Sequence, residues 1–303
     1  MDRRVFLQTL AVLAPSLAGL ASCRQPPEPE EPRRERYRPY GQLDTSSDCP
    51  ELEIPESFRC VRLSSGGVAS SVRSGLVVPN AFDGMGAFPL PNGNVRLIRN
   101  HEMVDDAINS RPIGEPFYDP RASGGTTSLE VRISGTSGDL SVELVDEFVS
   151  LAGTRVNCAG GQTPWGSWLS CEETTSGLED GHHKPHGYIF EVPASATDPV
   201  DPIPLRQMGR FIHEAVAIDP ATGIVYETED TWYDPGVDPG AGFYRFMPNQ
   251  LEVLSAGGNL QMLAVTDRPG YLTARGQGMP GARSRLLAAL RGLNHAIQPP
   301  VPA

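Results

Sequence analysis

Short runs of alternating apolar and polar residues, separated by turn residues, recur from about residue 60 to residue 265. No long stretch of this region carries apolar residues at helical spacing. Alternation with a period of two is typical of β-strands that bury one face. The chain also has 32 glycines and 29 prolines among 303 residues, which agrees with many turns. The pattern therefore predicts an all-β fold.

Three segments repeat the same order of a turn, an apolar strand and an acidic end. They are residues 93–102, 166–174 and 223–231, and their first glycines are 73 and 57 residues apart. A further apolar segment follows each of the last two units, because residues 187–193 match residues 242–248. Strand-built repeats of this length predict blades of a β-propeller.

The repeat also extends upstream of its acidic ends. Asn157 precedes Glu172 by fifteen residues, and Glu214 precedes Glu229 by fifteen, so this count aligns Asn157 with Glu214. In a propeller, equivalent positions of successive blades lie around one central channel, and carboxylates at such positions would converge. The alternative is a β-sandwich with acidic residues at its loop tips.

The N-terminal residues 1–23 predict an export signal. Arg3 and Arg4 stand in a segment that resembles a twin-arginine signal, and the apolar run after them is too short to span a bilayer as a helix. The run ends at Cys23 in a lipobox-like sequence, so we expect Cys23 to be lipidated; a plain cleaved signal is the alternative. The predicted location is the periplasm or the cell surface.

Three further segments follow the signal. Residues 24–48 are rich in Pro, Glu and Arg and predict a solvated tether. Residues 49–267 form the predicted partial propeller. Residues 268–303 contain no Asp or Glu, although the whole chain has 37 acids. This change in composition leads us to expect a frameshift or truncation near Arg268, and with it an incomplete propeller.

Charge limits the partners that the chain can have. The formal net charge is −12, and Lys184 is the single lysine, so no cationic surface for nucleic acid is expected. We expect a monomer whose membrane contact is made only by the lipid anchor.

The acidic ends predict a metal centre. Alternation along residues 167–173 places Leu169, Cys171 and Glu173 on one face and Trp168 and Glu172 on the other. Apolar neighbours predict that the acids at residues 172, 173, 229 and 230 are partly buried, and buried carboxylates need cations. With one lysine in the chain and no arginine in these segments, a metal is favoured over ion pairs.

The donor types suggest more than one kind of ion. Carboxylate oxygens suit Ca²⁺, whereas the Cys158 thiolate would suit a transition metal. A disulfide between Cys158 and Cys171, or a buried free thiol, is the alternative for Cys158. Cys49 and Cys60 are candidates for a disulfide.

Three histidines have a spacing that resembles a metal site. His182, His183 and His186 lie in a glycine-flanked connection before a strand, and we interpret them as loop residues.

Several motifs together resemble the PhoX-type alkaline phosphatases over about residues 50–268. The motifs occur in the order and at the spacings of that family: Arg99-Asn100-His101-Glu102, Gly124-Gly125-Thr126, Asn157-Cys158-Ala159-Gly160-Gly161, Thr163-Pro164-Trp165-Gly166, Cys171-Glu172-Glu173, His186-Gly187-Tyr188 and the segment 208–215.

The resemblance implies a six-bladed β-propeller that hydrolyses phosphomonoesters with Fe³⁺ and Ca²⁺. It implies Cys158 as the iron ligand, Glu173 as a nearby carboxylate ligand, and Glu102, Glu214 and Glu229 as further metal ligands. It assigns no catalytic residue beyond these ligands. The alternatives are a calcium-dependent propeller hydrolase of another ester, such as a lactone, and a non-catalytic lipoprotein stabilised by metal.

Overall fold

A computed structural model of the chain describes residues 41–46, 48–104, 109–136, 139–234 and 238–264. Within these ranges the chain forms β-strands and short 3₁₀ turns but no α-helix, which confirms the predicted all-β class. None of its helical segments is long and apolar enough to cross a bilayer. The predicted signal, residues 24–40 of the predicted tether and the acid-free tail lie outside the described residues.

The chain divides into two units at Cys60. In the first unit, β1 (Leu43–Thr45) and β2 (Glu53–Pro55) form an antiparallel hairpin. Cys49 and Cys60 are joined by a disulfide with their Cα atoms 6.1 Å apart, which is the pair suggested by their short separation in sequence. Cys49 is almost fully buried.

The second unit contains three antiparallel meanders, which we call the first, second and third sheets. The first sheet is β3 (Phe82–Pro89), β4 (Val95–His101), β5 (Gly124–Thr136) and β6 (Asp139–Thr154). The second is β7 (Asn157–Gln162), β8 (Ser167–Glu172) and β9 (Ile189–Pro193). The third is β10 (His213–Ile218), β11 (Val225–Glu229), β14 (Phe243–Pro248) and β15 (Gly258–Met262), with a small ribbon of β12 (Tyr233–Asp234) and β13 (Asp238–Pro239) between β11 and β14 in sequence. None of the described sheets closes on itself.

The opening strands of the three sheets lie side by side, because β7 packs against both β3 and β10. Two glycines permit this close approach. A Cβ at Gly84 would lie 2.8 Å from the Cα of Ala159, and one at Gly161 would clash with the carbonyl oxygen of Val216. Any larger residue at these two positions would push the opening strands apart.

Two apolar cores lie on opposite faces of β8. Trp168 packs with Ile98, Leu151 and Phe190 in one core. Leu169 and Cys171 belong to the other core. The predicted alternation along this strand is therefore confirmed, and the strand is buried on both faces.

A buried ion pair connects the second and fourth strands of the first sheet. Arg99 on β4 lies 3.1 Å from Glu147 on β6, and their side chains are 9% and 0% exposed. The guanidinium also stacks over the ring of Phe82 at 3.8 Å and donates to Thr127. A charge buried this deeply is costly if its partner is removed.

We expect Arg99→Met to lower the free energy of unfolding by about 3–5 kcal/mol, since it removes the cation that pairs with the buried Glu147 carboxylate. The matched control is Arg132→Met in the same sheet, because Arg132 and Glu143 form an exposed pair with side chains 50% and 61% accessible. Such pairs contribute about 0–1 kcal/mol. Denaturant titration of both variants measures the difference, and equal small losses would contradict a structural role for the buried pair.

Candidate metal centre

Each sheet has the same β-bulge near the start of its opening strand. Between the two paired positions that flank each bulge, the opening strand has two residues and the second strand has one, so the opening strand carries one extra residue. The paired intervals are 82–85 with 99–101, 157–160 with 170–172, and 213–216 with 227–229. A bulge of this kind redirects a side chain at the end of a ladder.

In each sheet, the first residue inside the bulge has a carboxylate or thiol side chain that can bind a metal. The residue directly after the end of the second strand has a carboxylate. The bulge residues are Asp83, Cys158 and Glu214, and the residues after the second strands are Glu102, Glu173 and Asp230. We call these six residues the acidic cluster.

One backbone hydrogen bond recurs in each sheet and fixes this arrangement. The N–H of each residue after the second strand donates to the carbonyl oxygen two residues before the bulge residue. The three bonds are Glu102 to Ala81 (2.8 Å), Glu173 to Val156 (2.8 Å) and Asp230 to Ile212 (3.0 Å). Each sheet therefore delivers two donors to the same end of the fold.

The side chains of the cluster contact one another across the sheets. Ligand atoms of Cys158, Glu173 and Glu214 lie within 4.8 Å of one another. The Cys158 thiol is 3.7 Å from Glu214 Oε1. The carboxyl group of Glu102 lies beside those of Asp83 and Glu173, and that of Asp230 lies beside Glu173.

The cluster concentrates negative charge. Burial raises the pKa of Glu173 to about 7, and the hydrogen bond that protonated Glu173 donates to Asp230 adds to the shift. Burial and Asp83 raise the pKa of Glu102, and burial followed by the charge of Glu173 raises the pKa of Cys158. Among the described residues, no lysine or arginine forms an ion pair with any member of the cluster. A thiolate and carboxylates without a protein cation match the donor set of a mixed transition-metal and calcium centre.

Buried polar side chains hold two of the bulges in place. Asn100 Nδ2 donates to the carbonyl oxygens of Cys158 (3.1 Å) and Ala159 (2.8 Å), while its Oδ1 accepts from Trp168 and Ser170. Asn100 therefore connects β4 to the β7 bulge from beneath.

The bulge of β10 has a similar support. The hydroxyl of Thr228 accepts from the N–H of Ala215 at 3.1 Å and donates to its carbonyl oxygen at 3.2 Å. Both Asn100 and Thr228 therefore act on the backbone beside a cluster residue.

Four of the five ligands named from sequence lie in the cluster, and Glu229 does not. Its Oε2 instead accepts from the N–H of Gly242 (2.8 Å) and the hydroxyl of Tyr244 (2.9 Å). The next residue, Asp230, contacts Glu173 in its place.

The burial predicted for the acidic pairs holds for three of four residues. Glu172 is fully buried, Glu173 and Glu229 are half-buried, and Asp230 is exposed, which corrects the expectation for that residue. Exposure of Asp230 places one edge of the cluster at the solvent.

The cysteines of the second sheet are not paired with each other. Cys158 and Cys171 are both free, so the alternative of a disulfide between them is wrong. Cys171 is fully buried in an apolar core, and Cys158 remains half-buried in the cluster.

Asp83 was not predicted from the sequence as a ligand. The signal in the sequence is an acid before Gly84, at the start of the first apolar run, in the position that Cys158 has in the second sheet. The segment that forms the first sheet matches the other two repeats only loosely, so its upstream part was not aligned with theirs.

A family model described as alkaline phosphatase PhoX matches residues 38–280, which include the whole acidic cluster. The resemblance found in the sequence motifs is confirmed by this match. No curated protein matches the chain.

We expect the metal-free protein to lose stability as the pH rises from about 4.5 to about 7. Folded Glu173 keeps its proton up to about pH 7, whereas the unfolded carboxyl ionises near its ordinary value of 4.5. The stabilisation is thus complete below the unfolded pKa and is lost as the pH rises through the folded pKa. Glu173→Gln should be more stable than the unmodified protein at pH 8 in chelator and equal to it at pH 4.5.

Thermal unfolding at both pH values, with chelator or with Ca²⁺, measures this effect. Each kcal/mol regained corresponds to about 2–4 °C in Tm for a domain of this size. Glu179→Gln is the control, because Glu179 is exposed and outside the cluster. A loss of stability for Glu173→Gln in chelator at pH 8 would show that the carboxylates of the cluster do not destabilise one another by repulsion.

Proposed function

The chain belongs to the PhoX alkaline phosphatase family, and we propose that it releases phosphate from organic phosphomonoesters at the acidic cluster. The observation that carries this proposal is the convergence of Cys158 and five carboxylates from equivalent positions of three sheets, with no protein cation among the described residues to neutralise them. In a scaffold without a bound cation, this repulsion would only lower the free energy of unfolding.

We propose Fe³⁺ and Ca²⁺ as the ions of the cluster. The thiol of Cys158, with Glu173 and Glu214 within ligand distance of it, fits a transition metal such as iron. The remaining carboxylates, Asp83, Glu102 and Asp230, fit calcium. When bound, these cations supply the positive charge that neutralises phosphate oxygens and polarises phosphorus.

The residues of the chain prepare the site for a dianionic substrate. Backbone hydrogen bonds and Asn100 hold the donors in place, so that little reorganisation is needed. Asp83 and Asp230 are exposed and Cys158 is half-buried, which gives the substrate a route from solvent to the centre. Bare carboxylates would repel a phosphate ester, so loading with cations must precede substrate binding.

We propose that the three sheets are blades of a β-propeller. The adjacent opening strands β3, β7 and β10 support this arrangement, since blades pack through their innermost strands. The repeated bulge supports it as well, because equivalent points of successive blades lie around one channel.

We also propose export by the twin-arginine route to the periplasm or cell surface, with lipidation at Cys23 as the membrane contact. We propose that the protein is a monomer. The basis is the sequence alone: the arginine pair, the short apolar run and the lipobox-like end.

Chelation should abolish phosphatase activity, and Ca²⁺ together with iron should restore it. Cys158→Ser should lower kcat/KM for a generic phosphomonoester by at least about 100-fold and remove thiolate-to-iron colour, because the cluster loses its one thiol. Cys171→Ser is the control and should keep both activity and colour, since Cys171 is buried in an apolar core. Phosphate release with p-nitrophenyl phosphate and metal analysis are the measurements.

The same assays separate the competing functions. Hydrolysis of a lactone or carboxylic ester without phosphate release would contradict the proposed substrate class. Full activity in a colourless, chelator-treated protein would contradict the metal centre.

Arg3→Lys with Arg4→Lys should stop export of the full chain, because the twin-arginine pathway recognises the guanidinium pair. Fractionation of cells that express either version measures the exported share. Arg24→Lys, which lies beyond the signal, is the control. Normal export of the double variant would indicate the general secretory route instead.

A further inference from the structure

A second group of metal-ligand side chains lies apart from the acidic cluster. Asp119, in the connection between β4 and β5, meets His182 and His186, in the connection between β8 and β9. One ligand atom from each lies within 4.8 Å of the other two, and all three residues are buried. Such a group of two imidazoles and one carboxylate is unlike the thiol and carboxylates of the cluster.

The orientation of His186 is fixed by Glu172. His186 Nδ1 lies 2.6 Å from Glu172 Oε1, and Glu172 also accepts the backbone N–H groups of Arg155, Gly187 and Tyr188. Glu172 is the acceptor in each of these backbone contacts, so Nδ1–H of His186 is assigned as the donor of the hydrogen bond to Glu172. In that tautomer the other ring nitrogen, Nε2, carries the lone pair.

That lone pair is directed into the group. Nε2 of His186 is fully buried and has no hydrogen-bond partner. It lies 3.5 Å from Asp119 Oδ2 without forming a hydrogen bond. At zinc sites, a ligating histidine usually donates its one ring N–H to a carboxylate and binds the metal through the other ring nitrogen.

The other two residues are held before any ion binds. Asp119 accepts backbone N–H groups from Arg121 at one oxygen and from His183 and Lys184 at the other, at 2.6–2.8 Å. The ring of His182 packs edge-on against that of His186, with centroids 4.9 Å apart. These contacts position the three ligands at little entropic cost.

We propose that Asp119, His182 and His186 bind a zinc ion. Imidazole nitrogens with a carboxylate suit Zn²⁺, and the imidazoles disfavour Ca²⁺. The ion would join the two connections and hold Glu172 through His186. Because Glu172 is followed directly by Glu173, this site would support the second sheet where it supplies the acidic cluster. The interpretation of His182 and His186 as plain loop residues would then be replaced.

The experiment measures metal binding by the full chain. The protein is stripped with chelator, loaded with excess Ca²⁺, and titrated with Zn²⁺ against a chromophoric competitor and with Co²⁺ by absorption. In Cys158→Ser, whose acidic cluster has no thiol, we expect one tight Zn²⁺ equivalent and visible Co²⁺ d–d bands without a thiolate charge-transfer band. In the unmodified protein a second site with a thiolate band is expected at Cys158, and its loss in Cys158→Ser separates the histidine group from the acidic cluster and from the proposed phosphatase.

Neighbouring histidines provide matched variants. His182→Ala should weaken Zn²⁺ binding by more than about 100-fold, and Glu172→Gln by about 10–100-fold. His183→Ala should bind as the unmodified protein does, because His183 is exposed. The proposal is overturned if the unmodified protein takes up no Zn²⁺ or Co²⁺ under Ca²⁺, a result that requires no variant to fold. It is equally overturned if His182→Ala and His183→Ala bind alike, which would leave His186 as a buried base between two carboxylates.

Discussion

The arrangement of the second unit depends on forcing negative groups together against their mutual repulsion. Three identical bulges, one in each opening strand, and three identical backbone hydrogen bonds place the cluster residues within reach of one another. The cost is visible in the pKa of Glu173, which burial and its acidic neighbours raise to about 7. A cation removes this cost, so metal binding and the stability of the three sheets are thermodynamically linked.

The periodic features of the fold could be predicted because they depend on local pattern. Alternation along β8 separates Trp168 from Leu169, as expected for a strand between two cores. The match of residues 187–193 with 242–248 corresponds to β9 and β14, the third strand of each sheet. Both features could be predicted because they do not depend on which sheets contact one another.

Alignment across a turn failed, for a geometric reason. Five residues separate Gln162 from its partner Trp168, whereas six separate Ile218 from its partner Val225. Counting back fifteen residues from each acidic end therefore aligned Asn157 with Glu214, although pairing shows that Asn157 corresponds to His213. The slip is confined to the opening strand, because both counts align Glu172 with Glu229 and therefore Glu173 with Asp230.

The corrected alignment shows that each pair of residues at the end of a second strand has two separate tasks. The second member faces the acidic cluster, and the first member anchors the scaffold. The pairs are His101 with Glu102, Glu172 with Glu173, and Glu229 with Asp230.

The three anchors have different chemistry but the same effect. Buried His101, whose pKa burial lowers to about 4, contacts the carbonyl of Asn80 and the hydroxyl of Thr127. Glu172 binds the turn before β9, and Glu229 binds the start of β14. Since successive strand residues point to opposite faces, adjacent acids cannot share one site here. The Glu172-Glu173 pair is therefore the point where a change in the histidine group would reach the acidic cluster through a single peptide bond.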